Sequence, residues 1–209
     1  MELKNKYILD ACCGGRMLWF NKKHPNTIYI DNRIAEKGHI DHRPNHEVKP
    51  DVVMNFTNLE FKDKSFKLVV FDPPHLKTLG KNSRFAKTYG SLNAETWQYD
   101  LNKGFNECWR VLEDYGILIF KWNEEEISSD TVLSLFLEKP LFGHTTGSKS
   151  KTKWFCFMKI PIANGGTNFT KSSADDFPTE SLISVKRESA DSQNSPQTDN
   201  KLKEEANFS

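Results

Sequence analysis

Cysteine is scarce in this chain. Its 209 residues hold four, Cys12, Cys13, Cys108 and Cys156, with no CxxC spacing, and adjacent Cys12 and Cys13 are badly placed to bridge each other. Long apolar runs are also missing. Nothing approaches the roughly 20 residues of a membrane helix, and Met1 to Lys6 leads into a strand-like run instead of a secretory leader. These absences predict free thiols in a reducing, cytoplasmic setting and no membrane partner. Two nucleotide signatures are lacking as well, GxGxxG and the GK[ST] of a phosphate loop. No internal repeat is present.

Charge of one sign is not in excess overall: 29 basic residues meet 28 acidic ones. The distribution is uneven, however. Residues 166–209 carry five basic and eight acidic residues, so the body keeps a mild positive surplus that suits an anionic partner. From about Asn164 onward polar residues dominate without apolar periodicity. Residues 1–163 are therefore read as one folded domain and 164–209 as a disordered polar tail.

Within the body, short apolar runs alternate with turns and helical patterns. Strands are expected at Tyr7 to Leu9, Thr27 to Ile30, Asp51 to Met54, Phe66 to Phe71 and Gly116 to Phe120, with a last pair near Leu141-Phe142 and Trp154 to Met158. Trp97, Leu101, Phe105, Cys108 and Leu112 recur at helical spacing. Asn93 or Ser91 would cap that helix, and Gly116 would supply its stop. A second helix is expected from about Glu125 to Leu137, closed by Pro140. Buried strands alternating with helices predict an α/β domain, a mostly parallel sheet covered on both faces.

Chemistry concentrates where strands end. In open α/β sheets ligands bind outside the carboxyl ends of the strands. The first strand runs through Asp10 and Ala11 into Cys12, Cys13, Gly14 and Gly15, small residues that allow close backbone approach. The second ends in Asp31, spaced to accept hydrogen bonds from ribose hydroxyls. The third is followed by Asn55 and Phe56, an amide and a backbone N–H suited to a purine edge, although a turn asparagine fits equally well. The fourth ends in Asp72-Pro73-Pro74-His75. Paired prolines stiffen this corner, so that Asp72 and the Pro73 carbonyl can accept both hydrogens of a planar amine while the His75 ring stacks on a base.

With these residues the chain resembles the class I S-adenosylmethionine-dependent methyltransferases, in particular the amino-methylating branch marked by an acidic residue or Asn, two prolines and an aromatic. Residues 6–160 also resemble small bacterial and phage methyltransferases, through Asp72 to Lys77, Phe120 to Asn123 and Lys153 to Lys159. The resemblance implies a doubly wound, Rossmann-like seven-stranded sheet whose last strand is antiparallel. It implies S-adenosylmethionine as cofactor, with its methionine end at Asp10, Ala11 and Cys12 to Gly14, its ribose at Asp31, and its adenine at Asn55 and Phe56. It assigns Asp72, Pro73, Pro74 and His75 to the target amine. The chain departs from the pattern in having His75 where Tyr, Phe or Trp is usual; imidazole stacks less well but can take part in proton removal. A Cys12-Cys13 pair also stands in the cofactor loop, read as packing and not as nucleophiles.

The loop after His75 carries Lys77, Lys81, Arg84 and Lys87 with two aromatics and no acid, a composition suited to phosphates and stacked bases or to a solvated lid. The expected target is an exocyclic amine of a nucleic-acid base, adenine N6 in DNA ahead of RNA. A partner protein would help recognition, because no separate recognition domain follows. A small-molecule or protein amine, or a silent cofactor-binding subunit, stands as the alternative. Lys121, Trp122 and Asn123 follow the fifth strand and face either the target pocket or the core. The cluster His39, Asp41, His42 and His46 is too irregular, with Arg43 intervening, to be read as a metal site.

Overall fold

The computed structural model describes residues 4–80, 83–144 and 150–161, all within one compact unit, Met1–Asn164. The polar tail predicted over 164–209, and Lys81, lie outside the described residues. The elements run β1 (Ile8–Asp10), β2 (Thr27–Asp31), β3 (Val52–Val53), β4 (Phe66–Phe71), α1 (Arg84–Tyr89), α2 (Trp97–Val111), β5 (Leu112–Asn123), α3 (Ser129–Leu133), β6 (Phe142–Gly143) and β7 (Thr152–Met158).

These strands form one seven-stranded sheet in the order β3-β2-β1-β4-β5-β7-β6. Strands β1 to β5 pair parallel, whereas β7 runs antiparallel to both β5 and β6. This is the Rossmann-like α/β sheet expected from the sequence. The strand order reverses at β1, so the carboxyl ends of β1, β2 and β4 converge on one crevice, where such sheets take ligands.

Helix α2 forms because Trp97, Leu101, Gly104, Phe105, Cys108 and Val111 fall on one face at steps of three and four, and all six are buried. Phe105 stacks on Phe136 with centroids 4.0 Å apart and meets Phe157 edge-on at 5.1 Å. Fully burying a side chain such as Leu101 or Phe105 contributes about 1.5–3 kcal/mol. Leu9, Ile28, Ile30, Val69, Phe71, Leu118 and Phe120 supply the sheet side of this core.

The cap of α2 falls on Thr96, not on Asn93 or Ser91, and three further local expectations fail. Gly116 does not stop α2: the helix ends at Val111, and Leu112 turns straight into β5 with extended backbone. The stop comes from a distant residue. Lys159 donates from Nζ to the carbonyls of Trp109 and Leu112 at 2.6 and 2.8 Å, a cation satisfying orphan groups at the negative end of the helix. Gly116 instead permits close approach, since a Cβ there would lie 2.7–2.8 Å from Leu112 and the Glu113 carbonyl. The helix expected from Glu125 to Leu137 shrinks to α3, because Ser128 caps it only at 129. Before that point Asn123 and Glu124 accept from the amides of Glu125 and Ser129, which holds a turn.

The third failure concerns coverage of the sheet. No helix lies between β1 and β2, β2 and β3, or β3 and β4. On β2, Ile28 and Ile30 face the core, so Thr27 and Tyr29 face the opposite side. There Tyr29 is covered by Trp19, edge-on at 5.1 Å, and by the Arg16 guanidinium, 3.9 Å from its centroid. Side-chain packing within residues 11–26 thus does what a crossover helix was expected to do. Among the described residues no helix is long and apolar enough to cross a membrane.

Candidate active site

A cavity of about 440 Å³ opens at the carboxyl ends of β1 to β4, within the range typical of small-ligand sites. Ala11 and Cys12 line it from the end of β1, Asp31 to Arg33 from β2, and Met54 to Thr57 from β3. Asp72 and Pro74 follow from β4, and Ala86, Tyr89 and Gly90 to Asn93 close it from α1 and the segment after it; Asp100 of α2 completes the wall.

The loop after β1 is bound to both neighbouring strands. Ala11 N–H donates to the Val70 carbonyl (2.9 Å) and Cys13 N–H to that of Ile30 (2.8 Å). Asp10 lies beneath this loop, 2% exposed, and accepts from Cys12 N–H at 3.2 Å and Trp19 Nε1 at 2.7 Å. Burial pushes its carboxyl up to about 7 despite those two bonds. It braces the loop and is absent from the cavity wall, as are Cys13 and Gly14. Burial also raises the thiols of Cys12, Cys13 and Cys108 well above the usual range, so all three remain protonated thiols.

Asp31 is buried and heavily engaged. Its carboxylate accepts from Gly14 N–H at 3.0 Å and from the N–H and Nε of Arg33 at 3.0 and 3.1 Å. Arg33, which sequence reading missed, also reaches the Ala86 carbonyl of α1 at 3.5 Å and so ties Asp31 to the cavity's far rim. Its only sequence signal was a place two residues after a strand-end acid. Asn55 forms a turn in which Oδ1 accepts from Thr57 N–H at 3.0 Å. The Phe56 ring meets Phe71 edge-on at 5.4 Å.

At the Asp72 corner, Lys121 Nζ donates to both carboxylate oxygens, at 3.0 and 2.8 Å. Burial raises the Asp72 carboxyl, and Lys121 opposes it through charge and hydrogen bonding. Trp122 is core: its indole donates to the Ile127 carbonyl at 2.8 Å, and the residue is 1% exposed. His75 packs edge-on against Trp122 at 6.3 Å and is 6.4 Å from Tyr89. Neither His75 nor Pro73 belongs to the cavity wall; Phe56 and Tyr89 are its aromatics. Burial, reinforced by Lys121, lowers the His75 pKa, so its imidazole is neutral at pH 7.

Of the basic loop, Lys77 turns its ammonium toward Trp97, 5.4 Å from the ring, while Arg84 and Lys87 are exposed on α1, outside the cavity wall. Glu126 pins the loop, accepting from Lys77 N–H at 2.7 Å, Thr78 N–H at 3.2 Å and the Thr78 hydroxyl. In the histidine cluster, His39 and His46 rings lie 5.2 Å apart while Asp41 and His42 are exposed.

No family model matches the chain, and no curated protein matches it. Solved structures give remote likenesses. The N-methyltransferase NodS from Bradyrhizobium japonicum is 11% identical, with a TM-score of 0.46 over 75% of this chain and 86% of that one. A SAM-dependent methyltransferase from Methanosarcina mazei is 12% identical, with a TM-score of 0.44 over 74% and 92%. A protein from Pyrococcus horikoshii is 14% identical, with a TM-score of 0.43 over 74% and 82%. Likenesses this remote assign no activity.

Proposed function

We propose that this chain is an S-adenosylmethionine-dependent N-methyltransferase acting on an exocyclic amine of a nucleic-acid base, adenine N6 in DNA foremost. One observation carries the reading: the cavity at the strand ends is lined by three carboxylates and by Asp72 and Pro74 of the rigid proline corner. Asp31, Asp72 and Asp100 face it against the single guanidinium of Arg33. Arg33 pairs with Asp31 and Lys121 with Asp72, so Asp100 leaves the wall one surplus negative charge, which disfavours a pyrophosphate and suits a cationic donor. The missing helix after β1 argues the same way, since dinucleotides rest their pyrophosphate on a helix N-terminus there.

The residues present fit that cofactor. Ala11 and Cys12 leave room beside the loop backbone. Asp31, whose oxygens already accept four bonds from Gly14 and Arg33, would exchange one of them for a ribose hydroxyl, and the Asn55 amide nitrogen, without a partner among the described residues, is available to an adenine edge. When bound, the cofactor supplies a methyl group already activated by its sulfonium. The chain's part is orientation. Asp72 accepts one hydrogen of the target amine and the Pro73 carbonyl the other, holding the nitrogen in line. To do so Asp72 must share its oxygens with Lys121.

The test incubates purified protein and methyl-labelled cofactor with DNA, tRNA and rRNA pools and maps the modified base by mass spectrometry. Label on an exocyclic base nitrogen is the expected outcome. Absence of cofactor uptake in calorimetry would end the reading. Label appearing only on a protein or small-molecule amine would replace the substrate class and keep the enzyme.

A further inference from the structure

A second cavity, about 600 Å³, lies on the other side of the β1 loop. Gly14 belongs to its wall, while the Gly14 N–H points to Asp31 of the first cavity, so one loop separates the two. Their charges are opposite. Lys6, Arg16, Lys22, Lys23 and Lys49 line the second cavity against the carboxylates of Glu47 and Asp51 alone.

This concentration of cations is built, not scattered. Arg16 donates to the Lys22 carbonyl (2.8 Å), to the Lys49 carbonyl (2.8 Å) and to Asp51 (2.8 Å), with its guanidinium over Tyr29. It therefore staples together two segments 27 residues apart and sets their lysines side by side. Lys6 Nζ fixes the adjoining edge through the carbonyls of Pro25 and Thr27, at 2.7 and 3.1 Å. Lys22, Lys23 and Lys49 are exposed and have no ion-pair partner among the described residues. Asp51 is already held by Arg16 and by Tyr29 N–H. Glu47 is then the remaining counter-charge in the wall, and like charges gathered in excess of it disfavour the empty site and favour an anion.

We infer that this cavity is a phosphate-binding site that takes the backbone of a single-stranded nucleic acid. Its identification with a nucleic-acid strand rests on the proposed target; its phosphate chemistry rests on the lysines alone. The cavities divide the work: the acidic one repels phosphate and admits the base, and the basic one anchors the strand.

The experiment measures anisotropy of a labelled single-stranded oligonucleotide on the full chain across a salt series. Lys22→Ala/Lys23→Ala/Lys49→Ala changes only exposed side chains. It is expected to weaken binding at least about ten-fold and to flatten the log K against log salt slope by about 2, at roughly 0.7 per phosphate contact. Cofactor affinity in calorimetry should be unchanged. Arg84→Ala/Lys87→Ala provides the comparison. Binding that survives the triple change, or falls only with Arg84 and Lys87, overturns the inference. So does a protein that takes up inorganic phosphate or a nucleoside triphosphate through these lysines but no oligonucleotide. Oligonucleotide bound through them without any methyl transferred would defeat the proposed reaction and leave this site standing.

Discussion

Lys121 holds both carboxylate oxygens of Asp72, one at 3.0 Å and the other at 2.8 Å, across 49 residues of sequence. Burial alone would keep this carboxyl protonated to unusually high pH, and the neighbouring ammonium pulls it back. In Lys121→Met the burial acts unopposed. The acidic limb of the kcat/KM profile for methyl transfer should then move to higher pH. Asp72→Ala should abolish transfer while cofactor affinity stays within about three-fold. Full activity in Asp72→Ala would remove the role assigned to it.

Asp10 couples the cofactor loop to pH. Its folded pKa, about 7, lies above the ordinary 3.8. The folded state therefore holds a proton that the unfolded state gives up earlier, and the stability this provides is complete below about pH 4 and lost by about pH 7. At about 1.4 kcal/mol per unit the loss is on the order of a few kcal/mol. Asp10→Asn should lack this decline, so its melting temperature relative to the wild type should rise from pH 4 to pH 7. Parallel curves for the two proteins would contradict the assignment.

Gly104 sits inside α2, where glycine costs about 1 kcal/mol relative to alanine. A Cβ there would lie 2.3 and 2.7 Å from the Phe56 ring and 3.1 Å from Phe71. The overlap outweighs the gain in helix propensity. Gly104→Ala should lower stability by about 1–2 kcal/mol in urea melts and weaken cofactor binding, because Phe56 is displaced from the cavity wall. Adding Phe56→Leu should recover stability without restoring affinity.

Glu126 fixes the segment that follows the proline corner through two backbone amides and a hydroxyl. Hydrogen bonds to a charged group contribute about 1.5–3 kcal/mol each, less where water reaches them. Glu126→Ala should raise KM for the nucleic-acid target about ten-fold and leave cofactor affinity intact. Glu126→Gln, which keeps an acceptor, should recover most of the loss; equal defects in both variants would point to charge instead of positioning.

The sheet was readable because its strands are short apolar runs ending in conspicuous polar residues. Asp31, Asn55 and Asp72 fall into one cavity because parallel strands place their carboxyl ends on one side. Helix α2 was equally plain from its spacing. The shortening of α3 comes from local side-chain turns at Asn123, Glu124 and Ser128, whereas most other errors originate in long-range contacts. The stop of α2 depends on Lys159, 47 residues beyond Leu112, and no local glycine rule reveals it. The grip of Lys121 on Asp72, the link from Arg33 to Ala86 and the anchoring of residues 77 and 78 by Glu126 likewise join segments distant in sequence. His75, placed by its motif to stack on a base, instead meets Trp122 across the fold.

A connection without a helix leaves residues 11–26 no internal ladder of backbone bonds to share a disturbance. Arg16 and Trp19 are its anchors: both pack on Tyr29, Trp19 also bonds Asp10, and Arg16 also bonds Asp51 and the Lys49 carbonyl. Failure of one passes directly to the partition between two oppositely charged chambers, so the loop is tuned by single side chains and tolerates few changes at them.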